Sequence, residues 1–114
     1  MKYQVVFHLD EDEDYRANLT FNNLENLLAD LGHDDVEIEL VTYARGVNIL
    51  RKNSVYSNRI EKLINMGVTF AACRNTTRAM NLQEKDLIDG VVIVTSGIGE
   101  LVHKQARGWL YVRP

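Results

Sequence analysis

Short apolar runs alternate with longer amphipathic stretches along this chain, and that pattern predicts its elements. Runs rich in β-branched and aromatic residues predict five strands, at 2–9, 36–43, 68–73, 90–95 and 109–113. The runs at 2–9 and 90–95 are the most continuously apolar, which predicts that these two strands lie in the centre of a sheet. The last strand alternates Trp109, Tyr111 and Arg113 with Leu110 and Val112, which is typical of an edge strand or a subunit contact.

Between the strands, apolar residues recur at the spacing of one helix face. We predict a long helix ending at Gly32, a short helix opening at Gly46, one ending at Gly67, one over 74–80 and one from Ser96 to Gly108. Ser54 or Ser57 is the expected N-cap of the helix that ends at Gly67. The apolar faces of the three longer helices are Leu24, Leu27, Leu28 and Leu31; Tyr56, Ile60, Leu63 and Ile64; and Ile98, Leu101, Val102 and Ala106.

The order of these elements predicts the fold class. Alternating strands and helices form a mostly parallel sheet with helices on both faces, because parallel strands need crossover connections. No linker rich in Ser, Gly or Pro divides the 114 residues, and no segment repeats. We therefore expect residues 1–114 to form a single α/β domain.

Composition and charge narrow the classes of function. Thirteen Lys and Arg stand against sixteen Asp and Glu, and five of those acids are consecutive, from Asp10 to Asp14. This balance is not the footprint of a nucleic-acid-binding protein, and no apolar run reaches the ~20 residues that a membrane helix needs. A lone cysteine and an N-terminus that passes directly into a strand favour a reducing, cytoplasmic location.

Function in open α/β sheets is concentrated beyond the carboxyl ends of the strands. Cys73 ends the third predicted strand and begins a helix, where the helix dipole and free N–H groups stabilise a thiolate, and Arg74 adds a positive charge. A lowered thiol pKa suits a nucleophile or a sulfur carrier. The alternative is that Cys73 follows Phe70, Ala71 and Ala72 only as the last core residue of its strand.

Other residues at this edge carry weaker signals. Ser96 and Gly97 open a helix and could hold an anion, although a bare G-x-G is not the dinucleotide fingerprint. His8 could act as a base or be a partly buried, hydrogen-bonded histidine. His33 is expected to face solvent, and His103 is expected to face solvent or a subunit contact.

The acids Asp10–Asp14 could bind Mg²⁺ or Ca²⁺, but they lack the calcium-loop spacing, and a solvated loop at a helix N-terminus is favoured. We therefore expect no metal site and no cofactor, and we expect the acids to rim the cleft of Cys73 or to contact a neighbouring subunit.

Several segments together resemble the DsrE/DsrF-like proteins. These are Gly67–Asn75 with Thr76 and Thr77, the C-terminal stretch that includes Ser96, Gly97 and Trp109, the opening strand, and the segment at Gly46 and Val47. The resemblance is to the small stand-alone members and spans nearly the whole chain. It implies a three-layer α/β/α sandwich with a five-stranded sheet, assembled into dimers, trimers or hexamers. It also implies that Cys73 carries sulfur as a persulfide between donor and acceptor proteins. Arg74 and the backbone N–H groups of Asn75 and Thr76 would then stabilise the thiolate.

Three interpretations of function remain open at this point. The first is a sulfur carrier, or sulfurtransferase, that uses Cys73. The second is a non-catalytic module that binds a small anion or nucleotide at the helix starts after the third and fourth strands, near Arg45 and Gly46. The third is an oligomeric interaction protein whose cleft has no chemical role.

Overall fold

The computed structural model describes residues 2–114, which form one five-stranded sheet with helices on both faces. The strands are β1 (Tyr3–Leu9), β2 (Val36–Thr42), β3 (Thr69–Cys73), β4 (Val92–Val94) and β5 (Leu110–Val112). The α-helices are α1 (Asp14–Leu31), α2 (Ser57–Asn65), α3 (Arg74–Ala79) and α4 (Gly97–Ala106). Two 3₁₀ helices lie at Ala44–Leu50 and Glu84–Asp86. The predicted α/β sandwich is confirmed.

All strand pairs are parallel, in the order β4-β3-β2-β1-β5. The prediction of a central position is therefore confirmed for β1 and wrong for β4, which is an edge strand. The ladder of β4 is only three residues long, and Val92 is 43% exposed. An uninterrupted apolar run is typical of a central strand because a central strand is covered on both faces of the sheet. β4 is not covered in this way, since Val92 is exposed on the α4 side.

The two faces of the sheet are covered unequally. On one face, Val5, Phe7 and Leu9 of β1 pack with Phe21 and the other buried residues of α1, α2 and the first 3₁₀ helix in the larger core. On the opposite face, α4 alone inserts Leu101 against Val6, Val41, Ala71 and Trp109. We call this second side the α4 face. This one helix connects the end of β4 to the start of β5, and Val92 and Tyr111 on the same face stay partly exposed.

The predicted apolar face of α4 is only partly buried. Leu101 is buried as predicted, but Ile98 and Val102 are 53% and 58% exposed and Ala106 is also exposed. Ile98, Val102 and Ala106 are spaced one turn apart, so they form a single apolar stripe that faces away from the sheet. The chain thus has an apolar helix face that its own fold leaves uncovered.

The predicted serine cap of α2 is also wrong. Tyr56 is the N-cap residue, and its side chain makes no capping hydrogen bond. Ser57 lies inside the first turn, while the hydroxyl of Ser54 accepts the N–H of Tyr56 at 3.1 Å in the turn before the helix.

Among the residues described, no helix is both long and apolar enough to cross a membrane.

Candidate functional site

Cys73 lies where the sheet ends and α3 begins. It is the last residue of β3 and the N-cap residue of α3. Side chains alternate along a strand, so Cys73 points to the α4 face, as Ala71 does. The residue is buried, with 5% of its surface exposed. The thiol therefore lies at the carboxyl edge of the sheet, as predicted, but beneath other groups rather than in the open.

The surroundings of Cys73 favour a thiolate. Burial by itself raises the pKa of this thiol. The backbone N–H groups of Gly97, Thr76 and Asn75, together with the Thr76 hydroxyl, more than offset that effect, so the pKa lies below its ordinary value. The predicted N–H groups of Asn75 and Thr76 are thus at the sulfur. Gly97 adds a donor from a different helix, which the sequence suggested only as part of an anion site.

The loop after β2 is tied directly to this site. The N–H of Ala44 donates a 3.0 Å hydrogen bond to the hydroxyl oxygen of Thr76. Ala44 has a φ of 50°, in the left-handed region that an alanine rarely adopts. Gly46 then packs on the end of β1, where an added Cβ would lie 2.2 Å from the carbonyl oxygen of Leu9. The absence of a side chain at Gly46 therefore allows the loop to pack closely on the end of β1.

Tyr43 is a large side chain on the same face, at the end of the adjacent strand. Thr42 pairs with Ala72, so Tyr43 and Cys73 are neighbours at the ends of adjacent strands. The Tyr43 ring stacks on the imidazole of His8, with centroids 5.0 Å apart and an angle of 22° between the planes. On its other side, the ring lies 3.0 Å from where a Cβ on Gly97 would be. Tyr43 therefore fills the space between β1 and the start of α4, beside the thiol.

A polar cluster continues from Tyr43 toward the β5 edge. Nδ1 of His8 is 2.7 Å from the hydroxyl of Tyr111 and 3.2 Å from the guanidinium of Arg113. Arg113 also forms an ion pair with Asp10 at 3.3 Å. Burial and Arg113 lower the pKa of His8, and Asp10 partly opposes them. His8 is 7% exposed and fits the buried, hydrogen-bonded alternative.

Sequence reasoning placed Tyr43 at the end of the second strand and Tyr111 and Arg113 on the last strand, but it assigned none of them a role at the site. The signal was present in the alternation of the strands, because all three occupy positions that face the same side as Cys73. What the sequence lacked was the strand order, which places β5 next to β1 and so brings Tyr111 and Arg113 to His8.

The other predicted ligand residues are only partly brought together. Arg74 and Asn75 are exposed on α3, and Arg45 is exposed beside it, with a 3.9 Å contact to Asp12. Ser96 caps α4 by accepting the N–H of Gly99 at 3.1 Å, while the N–H of Gly97 is directed at Cys73. The N–H groups of Gly97 and Gly99 at the start of α4 are therefore already engaged, by Cys73 and by Ser96, which weakens the interpretation of an anion-binding site there.

The acidic run serves several separate contacts. Asp10 meets Arg113 and His8, Glu11 lies 3.8 Å from Arg16, and Asp12 accepts the side-chain amide of Asn48 at 2.9 Å. Asp14 begins α1 and accepts the hydroxyl of Tyr56. Within residues 2–114, no three side chains of His, Cys, Asp or Glu converge as a metal site. His33 and His103 are exposed, as expected.

Comparison with solved structures finds the same fold in proteins of unstated activity. The chain is 48% identical to a protein of unknown function, MTH1491, from Methanobacterium thermoautotrophicum, with a TM-score of 0.96 over 99% of this chain and all of that one. The ychN protein from E. coli shares 19% identity and a TM-score of 0.78 over both whole chains. BT1422 from Bacteroides thetaiotaomicron, also of unknown function, shares 12% identity and a TM-score of 0.74 over 97% of this chain and 94% of that one.

The last two of these likenesses show the fold alone, and a search of curated proteins found no match. A family model settles the assignment, because the model of the DsrE/DsrF-like family matches residues 1–114. The parallel sheet, the near-identical backbone of a relative and the whole-length match agree with the resemblance carried by the cysteine segment. The chain therefore belongs to the DsrE/DsrF-like family.

Proposed function

We propose that this protein is a sulfur carrier that holds sulfane sulfur as a persulfide on Cys73. The observation that carries the proposal is the environment of the thiol, whose pKa is lowered, despite burial, by donors from α3 and α4. A thiolate is the nucleophile in exchange at sulfur, and it is also the leaving group when the sulfur is passed on. The same donors thus support both steps. Membership of the family makes sulfur relay the natural class of chemistry.

The transfer needs no external oxidant. The Cys73 thiolate attacks the outer sulfur of a donor persulfide, a new S–S bond forms on Cys73, and the donor leaves as its thiolate. In the second step an acceptor thiolate attacks the outer sulfur on Cys73. The bond to Sγ breaks, and its electron pair returns to the Cys73 thiolate, which the N–H groups of Gly97, Thr76 and Asn75 stabilise.

Access to the thiol is the step that the fold restricts. With 5% of its surface exposed, Cys73 cannot meet a reagent unless its cover moves. The Tyr43 ring beside it is only partly buried, and within residues 2–114 its hydroxyl makes no hydrogen bond. We propose that a rotation of this side chain opens the site, because it needs no change in the sheet.

The test is loading of the protein with sulfur. The reduced protein is incubated with a low-molecular-weight hydropersulfide, desalted and measured by intact mass spectrometry. We expect one added sulfur atom per chain, removable by a thiol reductant, and none on Cys73→Ser. Equal labelling of Cys73→Ser, or no labelling of the wild type after the thiol is shown to be reduced, would overturn the proposal.

We also propose that copies of the chain assemble through the uncovered stripe of α4. Ile98 and Val102 lie one turn apart and are more than half exposed, and Val92 of the neighbouring strand is 43% exposed. Sedimentation should show an oligomer that Val102→Lys dissociates, while Lys62→Gln on α2 leaves it intact. A monomeric wild type at high concentration would contradict this assembly.

A further inference from the structure

We infer that the exposed arginines Arg45, Arg74 and Arg78 form a basic docking surface for an acidic segment of a partner protein. The inference rests on the proposed function, because it identifies the kind of protein that delivers sulfur to Cys73 or collects it. We call these three residues the basic rim.

The basic rim lies directly beside the thiol. Arg74 follows Cys73 in sequence, and Arg78 is one helical turn further along α3, so the two side chains share one exposed face. The hydrogen bond from Ala44 to Thr76 fastens the loop after β2 to this helix, and it places the exposed Arg45 next to α3. Three cationic side chains thus come from two segments to one side of the site.

Two of these three charges, those of Arg74 and Arg78, have no carboxylate partner within residues 2–114, and the third has a weak one. Within residues 2–114, no carboxylate lies within 4.0 Å of the guanidinium of Arg74 or Arg78, and Arg45 has only a 3.9 Å contact with Asp12 while its side chain is 69% exposed. By contrast, Arg59 is paired with Glu25 at 2.9 Å and Arg113 with Asp10 at 3.3 Å. Arg74 and Arg78 therefore keep their full capacity to bind carboxylates, and the largely exposed Arg45 keeps most of it.

The shape of the site favours a protein segment over a small anion. The arginines are spread along the surface at spacings of roughly 5–6 Å or more, which suits successive carboxylates of an acidic peptide. Cys73 is buried, so a reacting sulfur must be held near it while the cover opens. The chain as a whole carries a net charge of -3, so an acidic partner is repelled elsewhere and attracted here.

The first experiment measures the local potential without any sulfur transfer. The rates at which Cys73 is alkylated by iodoacetate, an anion, and by iodoacetamide, a neutral reagent, are compared at low ionic strength. Their ratio cancels the thiolate fraction, since both reagents consume the same thiolate. We expect Arg74→Gln/Arg78→Gln to lower the ratio severalfold and added salt to reduce the difference. The matched control is Arg107→Gln at the far end of α4, where the ratio should stay unchanged.

The second experiment tests docking itself. Persulfide-loaded protein is mixed with cysteine peptides whose flanking residues are glutamate or, in a matched peptide, glutamine. We expect transfer to the glutamate peptide to be faster, and we expect Arg74→Gln/Arg78→Gln to remove that advantage. An unchanged alkylation ratio, or equal transfer to the two peptides, would overturn the docking surface. Failure of the protein to load sulfur would instead overturn the proposed function, and the alkylation ratio would still be measurable.

Discussion

The N–H of Ala44 donates a 3.0 Å hydrogen bond to the Thr76 hydroxyl oxygen, and that hydroxyl in turn favours the thiolate of Cys73. A hydroxyl that accepts one hydrogen bond and donates another is fixed in orientation, so its proton is directed at the sulfur. The two partners of this hydroxyl come from different segments: Ala44 lies in the loop after β2, and Cys73 ends β3. The reactivity of the cysteine therefore depends on Ala44, a loop residue that is 32 positions from Thr76 in sequence.

Replacing Thr76 by valine should reduce the nucleophilicity of Cys73. The substitution keeps the branched shape and removes the hydroxyl donor, so we expect the thiol pKa to rise and the alkylation rate at neutral pH to fall a few-fold. The pH dependence of the iodoacetamide rate measures both. Thr76→Ser, which retains the hydroxyl, should stay close to the wild type. If the two variants have the same pH profile as the wild type, the hydroxyl does not act on the sulfur.

Shortening Tyr43 should expose the thiol. Tyr43→Ala removes the ring that lies between His8 and Gly97, so Cys73 should be alkylated faster by a neutral reagent at a pH where the thiol is fully ionised. Tyr43→Phe keeps the ring and should react at the wild-type rate. A Tyr43→Ala protein that reacts no faster would show that another part of the structure covers the sulfur.

Gly46 should be essential for the stability of the loop. A Cβ at this position would lie 2.2 Å from the Leu9 carbonyl oxygen, which is backbone and cannot move aside cheaply. We expect Gly46→Ala to lower the free energy of unfolding by about 2 kcal/mol or more in urea titrations. The matched change in the same loop, Ala44→Gly, relieves a left-handed alanine and should stay within about 1 kcal/mol of the wild type. Equal effects from the two variants would contradict this account of the loop.

Much of the fold could be predicted because its strands and helices follow from local patterns of apolar residues. The runs that became β1, β2 and β3 match their predicted bounds within about a residue, since buried strands need continuous apolar side chains. The position of β4 could not be predicted in this way. Its side chains are as apolar as those of a central strand, but strand order depends on how the crossovers pack.

The site was predictable to a similar extent. Cys73 and its neighbours on α3 followed from the rule that places function at the carboxyl ends of strands. Gly97 as a donor to the sulfur, and the stack of Tyr43 on His8, depend on contacts between segments far apart in sequence. No spacing along the chain encodes such contacts. The exposed stripe of α4 was missed for a related reason. An apolar helix face predicts burial, but it does not show whether the sheet of the same chain or another surface covers it.

Glu39 should make the stability of the protein depend on pH. This residue of β2 is 4% exposed, its Oε1 accepts no hydrogen bond among the described residues, and the nearest cation, Lys104 of α4, is 4.0 Å away. Burial and the facing carboxyl of Glu100 raise the pKa of Glu39 to about 8, with Glu37 adding to the shift and Lys104 opposing it.

A raised pKa means that the folded state holds a proton which the unfolded chain has lost. Between the ordinary value of 4.5 and about 8, stability should therefore fall as pH rises, by on the order of 1 kcal/mol per pH unit. Urea titrations of the wild type and Glu39→Gln at about pH 5 and about pH 8 measure this slope. The glutamine variant keeps the shape without the titration, so its stability should vary less over that window. Equal slopes for the two proteins would contradict the assignment.

The central claim is that sulfur passes through Cys73 and does not merely attach to it. The direct measurement is a single turnover with isotopically labelled sulfur. The protein is loaded from a labelled hydropersulfide, freed of donor and mixed with a low-molecular-weight thiol, and the label is followed on both species by mass spectrometry. We predict that the label leaves the protein at the rate at which it appears on the acceptor, that Cys73 returns to the free thiol, and that Cys73→Ser shows neither event. Label that stays on the wild-type protein, or that reaches the acceptor equally with Cys73→Ser, would contradict the account.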